Sequence, residues 1–475
     1  MKKTTCFILT IVMLISVSCD LVYATQSDTE ATGRYILGDI DMSGDISIID
    51  VTTLQLYLAQ DMSLSKKQLR LANIDNFKGL QITDATIIQL FMVSKLSDYP
   101  VNSEELKIGD YVDFGNGKSS NLFDGYDFRK VITATAPHRI VFDYWFEYED
   151  KFLWDDGISV DRMDATGDIR VFTSNDNSIT TAYILSENNI SADEVCDQMF
   201  MGLQEVTDIE FFNFETSKVT SMSNMFADCV NLAKVDISYF DTSRVTNMSS
   251  MFFANEKVET LDVSSFDTSK VTDMSGMFYG CRSLNKLDTS HFDTSKVTNF
   301  AAMFEYCTSL VSIDVSGFDT SNAEYICYMF SGCESIKSLD LTSFDTSKVI
   351  TMSEIFHYCE SLEAVDLSTF DTTNVIYMSG MFYGCTMLEE LDLSSFNTAN
   401  LTVTDRMFML CNNLKTIYVS DLWDMSNVTK SDDMFRYSGK IVGGNGTKNN
   451  TGIKDKTYAC IDTETQKGYL TYKAY

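Results

Sequence analysis

Residues Phe266 to His291 read F-D-T-S-K-V-T-D-M-S-G-M-F-Y-G-C-R-S-L-N-K-L-D-T-S-H. The phrase returns with small changes across about half the chain. Phe214, Phe240, Phe266, Phe292, Phe318, Phe344, Phe370 and Phe396 are spaced 26 residues apart. A fixed period of this size marks a solenoid, in which each coil buries its apolar edge only by stacking on its neighbours. The Met-Phe pair recurs from Met199-Phe200 to Met434-Phe435, and the step from Phe408 to Phe435 is 27 residues, a one-residue slip in the last unit.

Each unit divides in two. Leu388, Leu391, Leu393 and Phe396 fit the spacing L-x-x-L-x-L-x-x-F, a leucine-rich-repeat strand. Val271, Met274, Phe278, Cys281 and Leu284 then recur every three or four residues, which predicts a helical or 3₁₀ face turned inward. The Asp-Thr-Ser before it suits a helix cap or an Asx-turn. About nine coils at about 4.8 Å per strand give a slab of roughly 45 Å.

Two further rows follow the same period. Cys229, Cys281, Cys307, Cys333, Cys359, Cys385 and Cys411 share one phase, with Asn255 in the missing place. Stacking could bring these thiols near bonding distance, but small buried thiols explain an apolar position in every coil better. Ladder geometry does not suit a tetrahedral zinc site. Asp236, Asp262, Asp288, Asp314, Asp340, Asp366 and Asp392 take the solvent-facing position of successive strands, and Tyr418 ends the row. Neighbouring carboxylates repel, so this face is expected either to be held by adjacent Ser and Thr or to take calcium or a basic partner.

The repeats resemble the BspA-like leucine-rich-repeat surface proteins of bacteria, through the shared unit Phe-Asp-Thr-Ser-x-Val-Thr-x-Met-x-x-Met-Phe-x-x-Cys. The tail adds Val442-Gly443-Gly444-Asn445-Gly446-Thr447, Tyr458-Ala459-Cys460-Ile461-Asp462 and Gly468-Tyr469-Leu470-Thr471. The likeness implies an exported protein, several of whose relatives act in adhesion. It brings no catalytic residues and no defined ligand.

Composition narrows the function. With Lys+Arg 36 against Asp+Glu 68, the net charge is −32 over 475 residues. That argues against nucleic acid and direct contact with anionic membrane, which need clustered basic residues. A hydrophobic content of 44% supports large cores, and 2 prolines exclude a proline-rich stalk. The 3 histidines, His138, His291 and His357, leave little room for His-based catalysis or a multi-His zinc site. Residues 1–24 read as a secretory signal: Lys2 and Lys3, an apolar run from Phe7 to Val17, then Val22-Tyr23-Ala24 as cleavage site. Ser16-Val17-Ser18-Cys19 also approaches a lipobox, though Ser stands where Leu is usual.

Gly38–Asp50 reads G-D-I-D-M-S-G-D-I-S-I-I-D. Asp39, Asp41, Ser43, Asp45, Ser47 and Asp50 fall at positions 1, 3, 5, 7, 9 and 12 of a calcium loop, with Gly44 at the sharp turn. A second copy follows 34 residues later: Asp50 begins D-V-T-T-L-Q-L-Y-L and Asp84 begins D-A-T-I-I-Q-L-F-M. Its loop is degenerate, retaining Asn73, Asp75 and Asp84 but carrying Phe77 and Lys78 where a ligand and Gly belong. Paired loop–helix units over 35–98 resemble the type I dockerin module. That resemblance implies bound calcium and docking on a cohesin domain of a scaffolding protein, as in a cellulosome. It also implies a cohesin face of Ile48, Ile49, Gln55 and Leu56 in the first copy and Ile82, Thr83, Gln89 and Leu90 in the second. Burial in the module's own core is the competing role for these apolar residues.

Residues 105–195 show alternating runs, as in Arg139-Ile140-Val141-Phe142-Asp143-Tyr144, which predict strands and turns. Trp145 and Trp154 suit filling a β core better than a carbohydrate platform, and Asp155-Asp156 reads as a solvated pair. The expected architecture is mixed α/β. A signal at 1–24 precedes an all-α calcium-binding dockerin module at 35–98. A β-rich capping segment follows at 105–195. A leucine-rich-repeat solenoid of parallel strands plus short helices spans 196–437, with a C-terminal cap at 438–475. The expected function is secreted, non-catalytic binding or adhesion at the bacterial surface through a scaffold. The alternative is a dockerin-borne carbohydrate-active enzyme or accessory protein of polysaccharide catabolism, for which the middle segment could supply carboxylates flanking a cleft. A decoy or inhibitor of other proteins is a third possibility.

Overall fold

The computed structural model divides into two compact units, Met1–Lys118 and Ser119–Tyr475. In the first, the described residues are four short strands: β1 (Arg34–Ile36), β2 (Pro100–Val101), β3 (Leu106–Lys107) and β4 (Tyr111–Asp113). β1 pairs antiparallel with β4, and β2 with β3. The secretory signal at 1–24 and the loop–helix units read over 35–98, beyond the end of β1, lie outside the described residues. In the second unit the described residues are 119–475, less 122–124, 146–147, 149–150, 153–157, 160–168, 177, 187–188, 450–451 and 453. Among the described residues no helix is long and apolar enough to cross a membrane.

The repeat coils hold the expected residues inward. Val271, Met274, Phe278, Cys281 and Leu284 are all fully buried, as are their counterparts in successive coils. They do not lie on a helix. The segment is a chain of closed turns: Met277 N–H bonds to Met274 carbonyl (3.2 Å), Tyr279 to Gly276 (3.0 Å) and Cys281 to Phe278 (3.2 Å). The alternate N–H groups cross to the next coil, from Met274 to Asn299 (3.0 Å), Gly276 to Ala301 (2.8 Å), Phe278 to Met303 (2.9 Å) and Gly280 to Glu305 (2.7 Å). Ser275 N–H goes to the Asp273 carboxylate at 2.8 Å. Every donor from Met274 to Cys281 is therefore accounted for. A helix would spend these donors internally and leave none to tie coil to coil. The arrangement needs left-handed backbone at two outward positions per coil, filled by Gly276 (φ 59°) and Gly280 (φ 69°) here. Other coils place Tyr306 (φ 58°), Tyr358 (φ 53°) and Leu410 (φ 61°) at those positions, at a local cost of about 1 kcal/mol or more each.

On the opposite side of the coil the strands are parallel, as expected, but short. β12 (Lys234–Val235), β13 (Ser338–Leu339) and β14 (Ala364–Val365) are two residues long, while β15 (Glu390–Leu393) and β16 (Thr416–Val419) reach four. An Asx-turn follows, as where Thr342 N–H donates to the Asp340 carboxylate at 3.1 Å just after β13. A second edge runs unbroken: Ser221, Asn247, Asp273, Asn299, Tyr325, Thr351, Tyr377, Val403 and Lys430 form successive parallel bridges.

Three columns of side chains fill and bind the stack. Phe200, Phe226, Phe252, Phe278, Phe304, Phe330, Phe356, Phe382, Phe408 and Phe435 stack ring on ring, 5.3–6.3 Å between adjacent centroids. The cysteines are free and buried, each thiol donating to the Phe carbonyl one coil back, as from Cys281 to Phe252 at 3.2 Å and Cys385 to Phe356 at 3.0 Å. Burial pushes these thiols up, to about 12 at Cys281 and Cys359. Buried threonines make the third column. Thr294 Oγ1 donates to Asp319 carbonyl (3.0 Å) and accepts from its N–H (2.8 Å), and Thr320 does the same to Asp345.

Both ends of the stack are covered. β5 (Ser119–Asn121) pairs parallel with β10 (Asn189–Ser191), and β6 (Arg139–Tyr144) pairs parallel with β11 (Asp208–Phe211) of the first coil and with β9 (Ile179–Ser186); β9 pairs antiparallel with β8 (Ile169–Asp176), and β8 with β7 (Ile158–Ser159). The segment also contains α1 (Gly125–Thr135), which the strand-and-turn expectation missed; Phe128 and Ile132, one turn apart, are its buried stripe. Trp145 packs on Phe172 at 5.2 Å in a satellite core, the burial expected for it. Trp154, Asp155 and Asp156 lie outside the described residues. At the far end, Tyr469 sets its ring edge on Phe435 at 5.2 Å, and β17 (Thr471–Tyr472) pairs parallel with β16. Asp462 organises this cap, accepting from Asn445 N (3.0 Å), Thr447 N (2.9 Å) and Thr447 Oγ1 (2.7 Å). Gly468 is required there, because a Cβ would lie 2.0 Å from Cys460 carbonyl.

Candidate functional site

Two surfaces of the repeat unit carry ordered chemistry. The first is the aspartate row. Asp262, Asp288, Asp314, Asp340 and Asp366 are exposed, while Asp236 and Asp392 are half-buried at its ends. Each carboxylate is fixed within its own coil. Asp288 accepts from Ser290 N (3.0 Å) and Oγ (2.7 Å), and Asp340 accepts from Thr342 N (3.1 Å) and Oγ1 (2.6 Å). These bonds favour the ionised form. The Ser316 hydroxyl and N–H hold Asp314 below its ordinary range although Asp288 and Asp340 push it upward. The row stays charged, held in place by Ser and Thr as one expectation had it. Its C-terminal end is closed by Lys473, which pairs with Asp392 and lies 5.7 Å over the Tyr418 ring.

The second surface lies along the turn ribbon and breaks the repeat. Most coils place Ser, Thr, Asn or Asp along the bridge edge. On that edge the coils beginning at Phe318 and Phe370 expose Tyr325 and Tyr377, while the coil between them keeps Thr351 there and exposes the preceding Ile350. The same ribbon carries a cluster with no counterpart elsewhere among the described coils. Ser331, fully buried, has its hydroxyl 3.4 Å from Glu305 Oε1 and 3.4 Å from His357 Nδ1. His357 Nδ1 is 3.7 Å from Glu354 Oε2, and Tyr328 Oη donates to Glu354 Oε1 at 3.4 Å. Desolvation pushes Glu305 up to about 7, and the negative Glu354 adds to it. Desolvation also raises Glu354, lowers His357 to about 4 and raises the half-buried Cys327 thiol. Burial and the Glu354 carboxylate raise Tyr328 to about 12. At neutral pH His357 is therefore uncharged and brings no positive charge to the cluster.

Glycines shape this cluster. A Cβ on Gly332 would lie 2.4 Å from the Tyr306 ring, and one on Gly384 would lie 2.6 Å from the Tyr358 ring. The two tyrosines lie against the next coil because nothing projects there.

Of the residues singled out in the sequence, the structure sets Asp236, Asp262, Asp288, Asp314, Asp340, Asp366 and Asp392 in one register. The calcium-loop residues Asp39, Asp41, Ser43, Asp45, Ser47 and Asp50, the degenerate set Asn73, Asp75 and Asp84, and the cohesin-face residues Ile48, Ile49, Gln55, Leu56, Ile82, Thr83, Gln89 and Leu90 all lie outside the described residues. Among the described residues no group of three or more His, Cys, Asp or Glu is placed to hold a metal ion. Sequence reasoning missed Glu305, Ser331, Glu354 and His357. Their signal was departure from the repeat: Glu305 stands where Phe266's coil has Tyr279, and His357 where it has the same Tyr.

A family model described as "Mycoplasma protein of unknown function, DUF285" matches residues 194–310, 253–340, 282–364 and 326–444, which together span just over half of the chain. The match supports the leucine-rich, BspA-like character of the repeats. No curated protein matches the chain. Among solved structures, a chain of "Crystal structure of TLR13-ssRNA13 complex" aligns at 14% identity with a TM-score of 0.16, covering 54% of this chain and 45% of that one. This chain thus spans less than half of that chain, and so low a score leaves the fold resting on the coil geometry itself.

Proposed function

We propose, from the premise that the chain belongs to the repeat family described as Mycoplasma protein of unknown function, DUF285, that it is an exported, non-catalytic binding or adhesion protein. In this proposal the repeat surface holds a protein or glycan partner at the bacterial surface. The segment 35–98 attaches it, through calcium-dependent docking, to the cohesin domain of a scaffolding protein. The observation that carries the binding role is the aspartate row: charged side chains in one register over successive coils, each fixed by its own Ser or Thr. A preorganised charged face loses little freedom on meeting a complementary basic surface or calcium. The attachment rests on the first acidic loop, whose oxygens Asp39, Asp41, Ser43, Asp45, Ser47 and Asp50 stand at calcium-loop spacing.

The test uses the full chain. Calorimetry should register calcium uptake, and cohesin-coated beads should capture the protein only while calcium is present. The Asp39→Ala/Asp50→Ala variant should lose both. Capture that survives a chelator rejects the docking assignment. Loss of polysaccharide hydrolysis on changing a single acidic residue would establish the enzyme alternative instead. A triple Asp288→Asn/Asp314→Asn/Asp340→Asn variant that binds basic surfaces as the wild type does would leave the row a purely structural device.

A further inference from the structure

Beyond the aspartate row, the turn-ribbon surface has a chemistry of its own. We propose that the aromatic and acidic patch of Tyr325, Tyr328, Ile350, Tyr377, Glu305 and Glu354 is a docking site for an arginine-bearing segment of a protein partner, its guanidinium seated between the two glutamates and the tyrosine rings. Three observations carry this. First, the patch is local. Among the described residues the bridge edge carries rings only at Tyr325 and Tyr377; elsewhere it carries Val195, Ser221, Asn247, Asp273, Asn299, Thr351, Val403 and Lys430. A role in holding coils together would recur in every coil, since stacking needs are the same throughout. Tyr325 and Tyr377 are 43% and 45% exposed, with Ile350 between them at 37%. These contribute apolar surface in water, the usual mark of a contact face.

Second, charge complementarity names the occupant. The Glu305 carboxylate is half-buried and meets the Ser331 hydroxyl and the like-charged Glu354, with no cation among the groups acting on it, whereas Glu354 already feels Arg406; Glu305 is the uncompensated member of the pair. A partly desolvated carboxylate without a counter-ion favours an incoming cation. Third, the surface already accepts a guanidinium at its edge: Arg282 lies 5.5 Å over the Tyr306 ring. Arginine suits such a place because its flat, weakly hydrated head both stacks on rings and bonds to carboxylates.

The experiment titrates the full chain with fluorescein-labelled hexa-arginine at physiological salt, followed by anisotropy. Glu305→Gln/Glu354→Gln should weaken binding about tenfold or more, the effect of losing about 1.4 kcal/mol. Tyr325→Ser, at an exposed position that does not threaten the core, should weaken it as well. The strand-face triple Asp288→Asn/Asp314→Asn/Asp340→Asn should leave this patch's contribution intact. Its own effect reports on the aspartate row and so separates failure of the present proposal from failure of the one above. Affinity unchanged in Glu305→Gln/Glu354→Gln and Tyr325→Ser overturns the proposal. So does selective binding of cello-oligosaccharides, in place of the peptide, that the same variants abolish.

Discussion

Asn255 offers the sharpest test of how the coils are held together. It occupies the place that cysteine fills in neighbouring coils, and it is fully buried. Neither its Nδ2 nor its Oδ1 has a hydrogen-bond partner. Burying a polar atom without a partner costs about 1–3 kcal/mol. Asn255→Cys removes both atoms and introduces a thiol of similar size. By the geometry of the rest of the column, that thiol would donate to the carbonyl one coil back, as Cys281 does to Phe252 at 3.2 Å and Cys307 to Phe278 at 3.2 Å. The backbone bond from Asn255 N–H to Phe252 carbonyl (3.3 Å) is unaffected by the change. The variant should therefore gain about 2 kcal/mol, a rise of a few degrees in Tm for a unit of this size. Guanidinium denaturation followed by circular dichroism, under reducing conditions, measures it. A midpoint at or below that of the wild type would refute the assignment of this position as a defect in the thiol column.

Two further outcomes follow from the columns and the cluster. Thr294→Val keeps the shape of a side chain that is 1% exposed but removes its bonds to Asp319 N–H and carbonyl; it should cost roughly 2–4 kcal/mol, whereas exposed-face Ser295→Ala should cost far less. Glu305 and His357 should oppose each other in pH dependence. Glu305, raised from 4.5 to about 7 by burial, stays protonated in the fold where the unfolded chain has ionised, so its effect is a loss of stability as pH rises between those values. His357, lowered from 6.5 to about 4, contributes stability that is present above 6.5 and lost as pH falls toward 4. Glu305→Gln should steepen the rise in stability with pH and His357→Gln should steepen the fall, read from denaturation midpoints across pH 4–7; unchanged profiles in both would contradict the burial of this cluster.

The period, the inward residues and the stacked columns were all legible in the sequence, because one coil determines them and each recurrence repeats the instruction. Helix against turn was not. Met274, Met277, Phe278 and Cys281 carry spacings of three, one and three, which both a helix and a run of closed turns place on one face. Glycine at positions 276 and 280 hinted at left-handed backbone, but Tyr306, Tyr358 and Leu410 at equivalent places concealed it. The aspartate row was visible because it repeats. Glu305 and His357 were hidden for the opposite reason: they occupy outward positions where residue type varies from coil to coil, and only stacking brings them to either side of Ser331.

The phenylalanine stack is finished at each end by a ring turned on edge, Phe142 against Phe200 (85°) and Tyr469 against Phe435 (85°). Interior rings meet nearly parallel, so any one of them presents to its successor the same face that it receives from its predecessor. The terminators therefore recognise a coil, not a coil number. A gene that gained or lost one repeat in frame would still encode a chain whose ends fit, with a longer or shorter aspartate face between them. Reach becomes a heritable variable that can drift without passing through a misfolded intermediate length.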